Sequence, residues 1–314
     1  MQLVVLAAGR GTRLMPITRH RSKAMVPVLG RPLVELALAP WTSRDLTDVV
    51  FVVGPDDEEI RAHFGDGSGH GIVSRFVVQR ERKGMAHALS VAAPCLTGDF
   101  ALTACDSLVS GDHVGDLLAA HCDGSTVLSL LDVPSELVSK SSAVELDGGR
   151  VRRIIEKPAR EETPSNTVSL PHYILPHRVL DLLASLEPSP RGEIELQSAI
   201  QGLIECGDRV VGAEASERLQ VSDPEDLRRL NLDRLRSAVA SGSFSGGAAG
   251  FGAVIDGPVL IDDGVVVGRG CRIGPAVYLE VGCSVGDEVE ITNSVVLRGA
   301  RVDSGSRIGG RILG

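Results

Sequence analysis

The chain has 314 residues, 43% hydrophobic and 23% charged, which suits one large domain plus a smaller one better than a single packed core. A formal net charge of −9 and a pI near 5.4 give no broad basic footprint for nucleic acid or an anionic membrane, so clusters of arginine are read as local sites. There is no basic leader and no run of about 18 apolar residues, and the cysteines form no C-x-x-C pair or zinc spacing; the expectation is a cytoplasmic protein with reduced, buried thiols.

Up to about residue 222, short β-branched runs alternate with helical stretches. Strands are predicted over Leu3–Ala7, Val49–Val53, Arg75–Gln79, Phe100–Cys105, Thr126–Leu131 and Val210–Ala213, with helices that include Pro32–Trp41, Met85–Pro94 and His113–His121. This rhythm predicts an α/β, Rossmann-like domain whose mostly parallel sheet is covered on both faces, with ligand loops at the carboxyl ends of the strands. A connector helix from Pro224 to about Ala240 completes a first domain over 1–240, and the Gly/Ser-rich Ser241–Gly250 reads as a linker.

From 251 to 314 the period changes to six. Ile255, Ile261, Val267, Ile273, Leu279, Val285 and Ile291 form one series, and Val259, Val265, Cys271, Val277, Cys283, Val289 and Val295 a second. The register then slips by one and resumes at Val296, Val302 and Ile308. Such hexads predict a short left-handed parallel β-helix whose exposed end is a surface for self-association.

Chemistry is concentrated just after the first strand, in "LAAGRGTRLMPITRHRSKAMVPV", Leu6 to Val28. Backbone N–H groups around Ala8, Gly9, Gly11 and Thr12, with Arg13 and later Lys23 added, make a cradle for phosphate. The dinucleotide fingerprint G-x-G-x-x-G is a poorer fit, because Leu14 stands at its third glycine and Lys23-x-x-x-Pro27 is foreign to it. Arg19, Arg21 and Arg31 read as a solvated surface cluster.

The string G-x-G-T-R-L-x-P-x-T, followed by a lysine and "PV-x-G-x-P", resembles the signature of the sugar-1-phosphate nucleotidyltransferase family. "FGDGSGHGI" (Phe64–Ile72), "VQRERKGMAHAL" (Val78–Leu89), "IEKP" (Ile155–Pro158) and "RGEIEL" (Arg191–Leu196) match further family segments in order. The resemblance covers nearly all of 1–235, and a β-helix is appended in several branches of the family.

It implies attack of a sugar-1-phosphate oxygen on the α-phosphorus of a nucleoside triphosphate, with pyrophosphate leaving and no covalent enzyme intermediate. Arg13 and Lys23 would hold the triphosphate and the departing pyrophosphate. Asp106, after a strand, and Asp223 would hold Mg2+, although Asp223 before Pro224 and three residues from Asp226 also fits a helix N-cap. Gln79, beside Gly84, would read the base edge and favour dTTP or UTP. Glu156 and Lys157 would bind the sugar hydroxyls and its phosphate. Ser142 and Pro171 stand where the family usually has glycine, which leaves room for an unusual acceptor, such as a modified-sugar or cyclitol phosphate, and Met85 stands where threonine is more usual, which leaves room for an adenylyl- or guanylyltransferase.

Two other classes compete: a β-helix acyltransferase and a catalytically dead regulatory paralogue. All eight histidines lie at or before His177, so the β-helix has no obvious general base, and Lys23, Asp106 and Asp223 are all present.

Overall fold

The computed structural model describes residues 1–240 and 252–314; the expected linker Ser241–Gly250 lies outside the described residues. Nine strands form the main sheet: β1 (Gln2–Leu6), β2 (Asp48–Val53), β3 (Val73–Val78), β4 (Phe100–Ala104), β5 (Thr126–Asp132), β6 (Ser142–Asp147), β7 (Arg150–Glu156), β8 (Thr167–Leu175) and β9 (Val210–Glu214). Their spatial order is β3-β2-β1-β4-β8-β5-β9-β7-β6.

The first four strands in that order run parallel, as the β-branched runs predict. Because successive side chains point to opposite faces, Val4, Val50, Val52 and Leu102 enter one core cluster, and Leu3, Val5, Val49, Phe51 and Val53 enter another. The first cluster is closed by helices α3 (Met85–Ala92) and α5 (Leu196–Glu205). The second is closed by α1 (Leu33–Thr42), α2 (Glu58–Phe64) and α4 (Gly111–Ala120).

Strands β6, β7 and β8 were not among the predicted elements. β6 and β7 form a hairpin around Gly148 (φ 56) and Gly149 (φ 80), a pair of left-handed positions suited to a tight turn between twisted strands. β8 runs antiparallel to both β4 and β5, and its register against β5 shifts between Leu170 and Tyr173. That bulge accommodates Pro171, which has no N–H to offer a ladder.

Contact clustering divides the chain into two compact units: Met1–Arg10, Ser22–Met25 and Val34–Gln220 form one, and Gly11–Arg21, Val26–Leu33 and Val221–Gly314 the other. In the second unit, helix α6 (Pro224–Ala240) carries the buried Asn231, whose Oδ1 accepts from Leu29 N at 2.9 Å while its amide donates to Pro27 O (3.3 Å) and Leu227 O (2.9 Å). One side chain thus fixes the hairpin Pro27–Val28/Arg31–Pro32 to the helix.

The hexads fold as three stacks of short parallel strands, two of four strands and one of three. Both apolar series point inward over most of their length, with Ile261, Val267, Ile273, Leu279, Val285 and Ile291 sharing one core with Val259, Cys271, Val277 and Val289, but Ile255 is exposed and Val295 pairs with Tyr278, leaving Ser294 opposite Val277. The slip has a local cause. Val259 pairs with Val277 but Val277 pairs with Ser294, a coil one residue shorter, and its tightened corner holds Asn293 at φ 46. Asparagine is among the few non-glycine residues that adopt this conformation readily.

Among the described residues, no helix is long and apolar enough to cross a membrane. All six cysteines are free, but the expectation that they are buried holds only for Cys105, Cys271 and Cys283; Cys122 and Cys206 are exposed and Cys95 is half-buried.

Candidate active site

Carboxyl ends of the parallel strands carry four of the predicted site residues of the first unit. Ala8 and Gly9 follow β1, Gln79 follows β3 and Asp106 follows β4. Lys23 sits in a short 3-10 turn, 8% exposed, and its ammonium is ion-paired with the Asp106 carboxylate. The neighbouring Cys105 is fully buried, and burial followed by the charge of Asp106 pushes its thiol far up, so it is an inert packing residue.

Gly9 has ordinary backbone angles, and a Cβ placed on it would meet nothing within 4 Å. The fold therefore does not need a glycine there. Gly11, in the second unit, is different. Its φ of 64 turns the chain into the 3-10 turn Thr12–Leu14, and its carbonyl accepts from Leu14 N (2.9 Å) and Thr18 Oγ1 (2.7 Å). Thr12 and Arg13 are exposed on that turn. Arg21, expected in solvent, has a side chain only 15% exposed, 3.9 Å from the buried carboxylate of Glu280 within the same unit.

The loop after β3 is held open by backbone. Ile194 N donates to Lys83 O (2.6 Å) and Ala86 N donates to Ile194 O (3.1 Å), clamping Gly84 between them. Gly84 has φ 100, and a Cβ there would lie 2.5 Å from the Ile194 carbonyl oxygen, so no other residue fits. Gln79, 4% exposed, donates through its amide to Gly84 O (3.2 Å) and shares a hydrogen bond with His87 Nδ1 (3.0 Å). The amide nitrogen is thus engaged within the protein.

Arg82 was not expected at the site. Its Nε donates to Ala8 O at 2.6 Å, and its guanidinium fills the space a Cβ on Gly54 would take. Asp57 accepts from Gly54 N at 2.6 Å beside it; burial raises the Asp57 pKa, against the pull of that N–H and of Arg82. The ends of β1 and β2 are thereby tied together.

At the far end of the sheet, the Ser142 hydroxyl donates to Glu156, and Gln197 Nε2 donates to Ser142 Oγ at 2.9 Å. Ser142 also pairs in register with Ser169, whose hydroxyl lies 3.1 Å from the buried Tyr173 hydroxyl. Lys157 has its Nζ 3.5 Å from Glu156 Oε1 and a left-handed backbone (φ 47), with its N–H donating to Ser141 O at 2.9 Å. A long side chain in that conformation stores strain of the kind found at functional positions. Pro171 stands in the β8 bulge next to this network.

Asp223, in the second unit, is exposed, and its Oδ1 accepts from Asp226 N at 2.9 Å while Asp226 Oδ2 accepts from Ser222 N at 2.9 Å. The expected N-cap is therefore present, reinforced by a reciprocal bond.

His172, also unexpected, pins the turn that bears Asp106. It is fully buried, with Nδ1 2.9 Å from Thr103 Oγ1 on one side of that turn and Nε2 3.0 Å from Ser107 Oγ on the other. Burial, aided by nearby His113, lowers its pKa to about 3, so the ring is a neutral bridge.

The sequence model of the family described as "Nucleotidyl transferase" matches residues 2–232, and that of the "GMPPB C-terminal domain" matches 255–314. Relatives include a glucose-1-phosphate thymidylyltransferase of Streptomyces griseus, 30% identical over the whole chain and 92% of the relative. The UTP–glucose-1-phosphate uridylyltransferase AglF of Haloferax volcanii is 35% identical over 72% of this chain and 93% of its own. Among solved structures, UDP-glucose pyrophosphorylase with UDP-glucose bound superposes with a TM-score of 0.67 at 21% identity, over 75% of this chain and 98% of that one, which shows a shared fold.

Two predictions test the site. Gly9→Ala leaves the melting temperature unchanged and lowers kcat/KM at least about tenfold, since the cost falls on the bound ligand alone; equal loss of stability and activity would mean that the loop itself needs the glycine. For His172, the folded pKa of about 3 lies below the unfolded value near 6.5, so the unfolded chain binds the extra proton between them and stability is lost as pH falls through that window. At pH 5 the loss is about 2 kcal/mol, so His172→Gln shows a shallower decline of stability than the parent between pH 7 and pH 5 in denaturant titrations. Parallel declines would remove His172 as the titrating group.

Proposed function

This chain belongs to the nucleotidyl transferase family, and we propose that it transfers a pyrimidine nucleotide from dTTP or UTP to a sugar-1-phosphate, releasing pyrophosphate and forming an NDP-sugar. The observation that carries the base assignment is the Gln79 amide. Its nitrogen is held by Gly84 O and His87, which leaves Oε1 to accept from the imide N3–H of thymine or uracil. Names of the relatives, a thymidylyltransferase and a uridylyltransferase, agree with this reading.

In the reaction, an oxygen of the acceptor's phosphate forms the new bond to the α-phosphorus, and the bond to the β,γ-pyrophosphate breaks. Catalysis is mostly alignment of two polyanions and neutralisation of charge. We assign Lys23 and Arg13 to the triphosphate and the leaving pyrophosphate, with N–H groups of Ala8, Gly9, Gly11 and Thr12 as the cradle. Asp106 and Asp223 are hard oxygen donors of the type magnesium prefers, and they would hold the ion, which when bound supplies positive charge against the phosphate oxygens. Lys23 is the counter-charge of Asp106 until ligands arrive.

Glu156 and Lys157 are assigned to the acceptor's hydroxyls and phosphate. Ser142 already donates to Glu156 and is itself backed by Gln197, so a hexose hydroxyl seeking that carboxylate meets a competitor. An unpaired buried hydroxyl costs about 1–3 kcal/mol, so a deoxy, amino or carbocyclic phosphate should be favoured over glucose-1-phosphate by about ten- to hundredfold.

The test is pyrophosphate release with each nucleoside triphosphate against a panel of phosphorylated acceptors. Pyrimidine triphosphates should lead. GTP leading by tenfold would overturn the base assignment, because guanine N1–H also suits the Gln79 acceptor, and kcat/KM near about 10⁶ M⁻¹s⁻¹ for glucose-1-phosphate would overturn the acceptor reading.

We also propose that the β-helix mediates self-association through its first coil, where Val254 (56%), Ile255 (44%) and Val266 (66%) are exposed. Val254→Glu with Val266→Glu should give a smaller species in light scattering with turnover retained. An unchanged particle would place the contact elsewhere.

A further inference from the structure

Outside the site described, one cluster combines metal-binding side chains with a geometry that the proposed reaction does not use. Glu35 of α1, His63 of α2 and His70 of the 3-10 turn Ser68–His70 bring one ligand atom each to within 4.8 Å of one another. All three belong to the first unit. We propose that they form a binding site for a divalent transition-metal ion of the zinc class, distinct from the magnesium carboxylates.

A backbone contact sets the orientation of His70. Its Nε2 lies 3.0 Å from the carbonyl oxygen of His63, so that nitrogen donates and the ring is turned with Nδ1 to the other side. Nδ1 faces Glu35 Oε1, at 3.6 Å. Nδ1 and the carboxylate oxygen therefore converge on one point that a shared cation, a proton or a metal ion, would occupy. The same N–H to carbonyl bond is the outer-shell contact that orients imidazoles on metals.

His63 faces the same carboxylate. Its Nε2 is buried without a hydrogen-bond partner, yet it too points at Glu35 Oε1 from 3.6 Å. Tetrahedral donors on bonds of about 2.1 Å are about 3.4 Å apart, so both imidazole–carboxylate edges are already near metal-binding length. Closing the remaining His–His gap needs only a small swing of His70, which sits on a turn bounded by the left-handed glycines Gly67 and Gly71. Both rings pack on Phe64, His63 edge-on with centroids 4.9 Å apart and His70 at 4.8 Å, which limits their freedom before any ion arrives.

Ligand type sets the metal. Two imidazoles with one carboxylate suit zinc and its neighbours, whereas magnesium prefers an all-oxygen octahedron. Side chains 28%, 22% and 25% exposed for His63, Glu35 and His70 leave an open side for water to complete the shell. Bound there, the ion would tie α1 to the α2–β3 connection, a clip on the fold rather than a participant in phosphoryl chemistry.

The test uses tag-free, reduced, full-length protein stripped of metal and kept in excess Mg2+, so that the carboxylates of the proposed active site are already satisfied. Calorimetric titration with Zn2+ should show one site, with a rise in melting temperature. Co2+ should give a visible d–d spectrum without the thiolate charge-transfer band that Cys122 or Cys206 would produce. His70→Ala and Glu35→Gln should each weaken Zn2+ binding at least about tenfold and abolish the rise, with Mg2+-dependent turnover unchanged. Zn2+ binding that is equal in parent and both variants, or a thiolate band with Co2+, would overturn the site. So would the absence of micromolar binding, which would leave the three side chains as a plain His–Glu ion pair.

Discussion

A buried ammonium must keep a counter-charge within reach, and much of the first unit is arranged around that requirement at Lys23. Its partner Asp106 follows a strand that is apolar except for Thr103, so the carboxylate lies at a sheet end. Two rows of constraint then hold Asp106 in place. His172 bridges the residues on either side of the turn, and Ser107–Leu108 pairs with Leu219–Gln220. Burial keeps the imidazole neutral in this bridge.

Glycines at the proposed nucleotide end do three different things, and only geometry separates them. Gly11 supplies a left-handed turn, Gly84 avoids the Ile194 backbone, and Gly9 does neither. Gly9 is thus the one of the three at which a side chain would test the proposed cradle without disturbing the fold. The arginines divide in the same way. Arg82 is spent on Ala8 O and Arg21 on Glu280, while Arg13 is exposed on its turn.

What the sequence revealed follows from the range of the interactions involved. Parallel strands buried on both faces leave a run such as Val49–Val53, and stacked coils leave a six-residue period, so both could be read locally, down to the slip that the structure traces to the corner at Asn293. β6 to β8 could not, because their polar residues, a bulge and a proline blur the alternation. Arg82, His172 and Gln197 escaped for a further reason: each works through a partner between 55 and 74 positions away, and no spacing rule reaches that far. The same holds for the assignment of thiols as buried, which composition suggested and the exposed Cys122 and Cys206 contradict.

The two proposed cation sites show how one chain can keep two metals apart. Asp106 after a strand and Asp223 at a helix N-cap offer hard oxygens, the first already neutralised by Lys23, which suit a small dication that keeps its waters. Glu35, His63 and His70 offer nitrogen donors set by a helix, a turn and Phe64, where a strongly hydrated ion gains little and an ion that accepts imidazole gains much. Selectivity therefore comes from ligand type before it comes from affinity. An ion clipping α1 to α2 would stiffen the α2–β3 connection, and β3 is the strand that delivers Gln79 to the proposed nucleobase pocket.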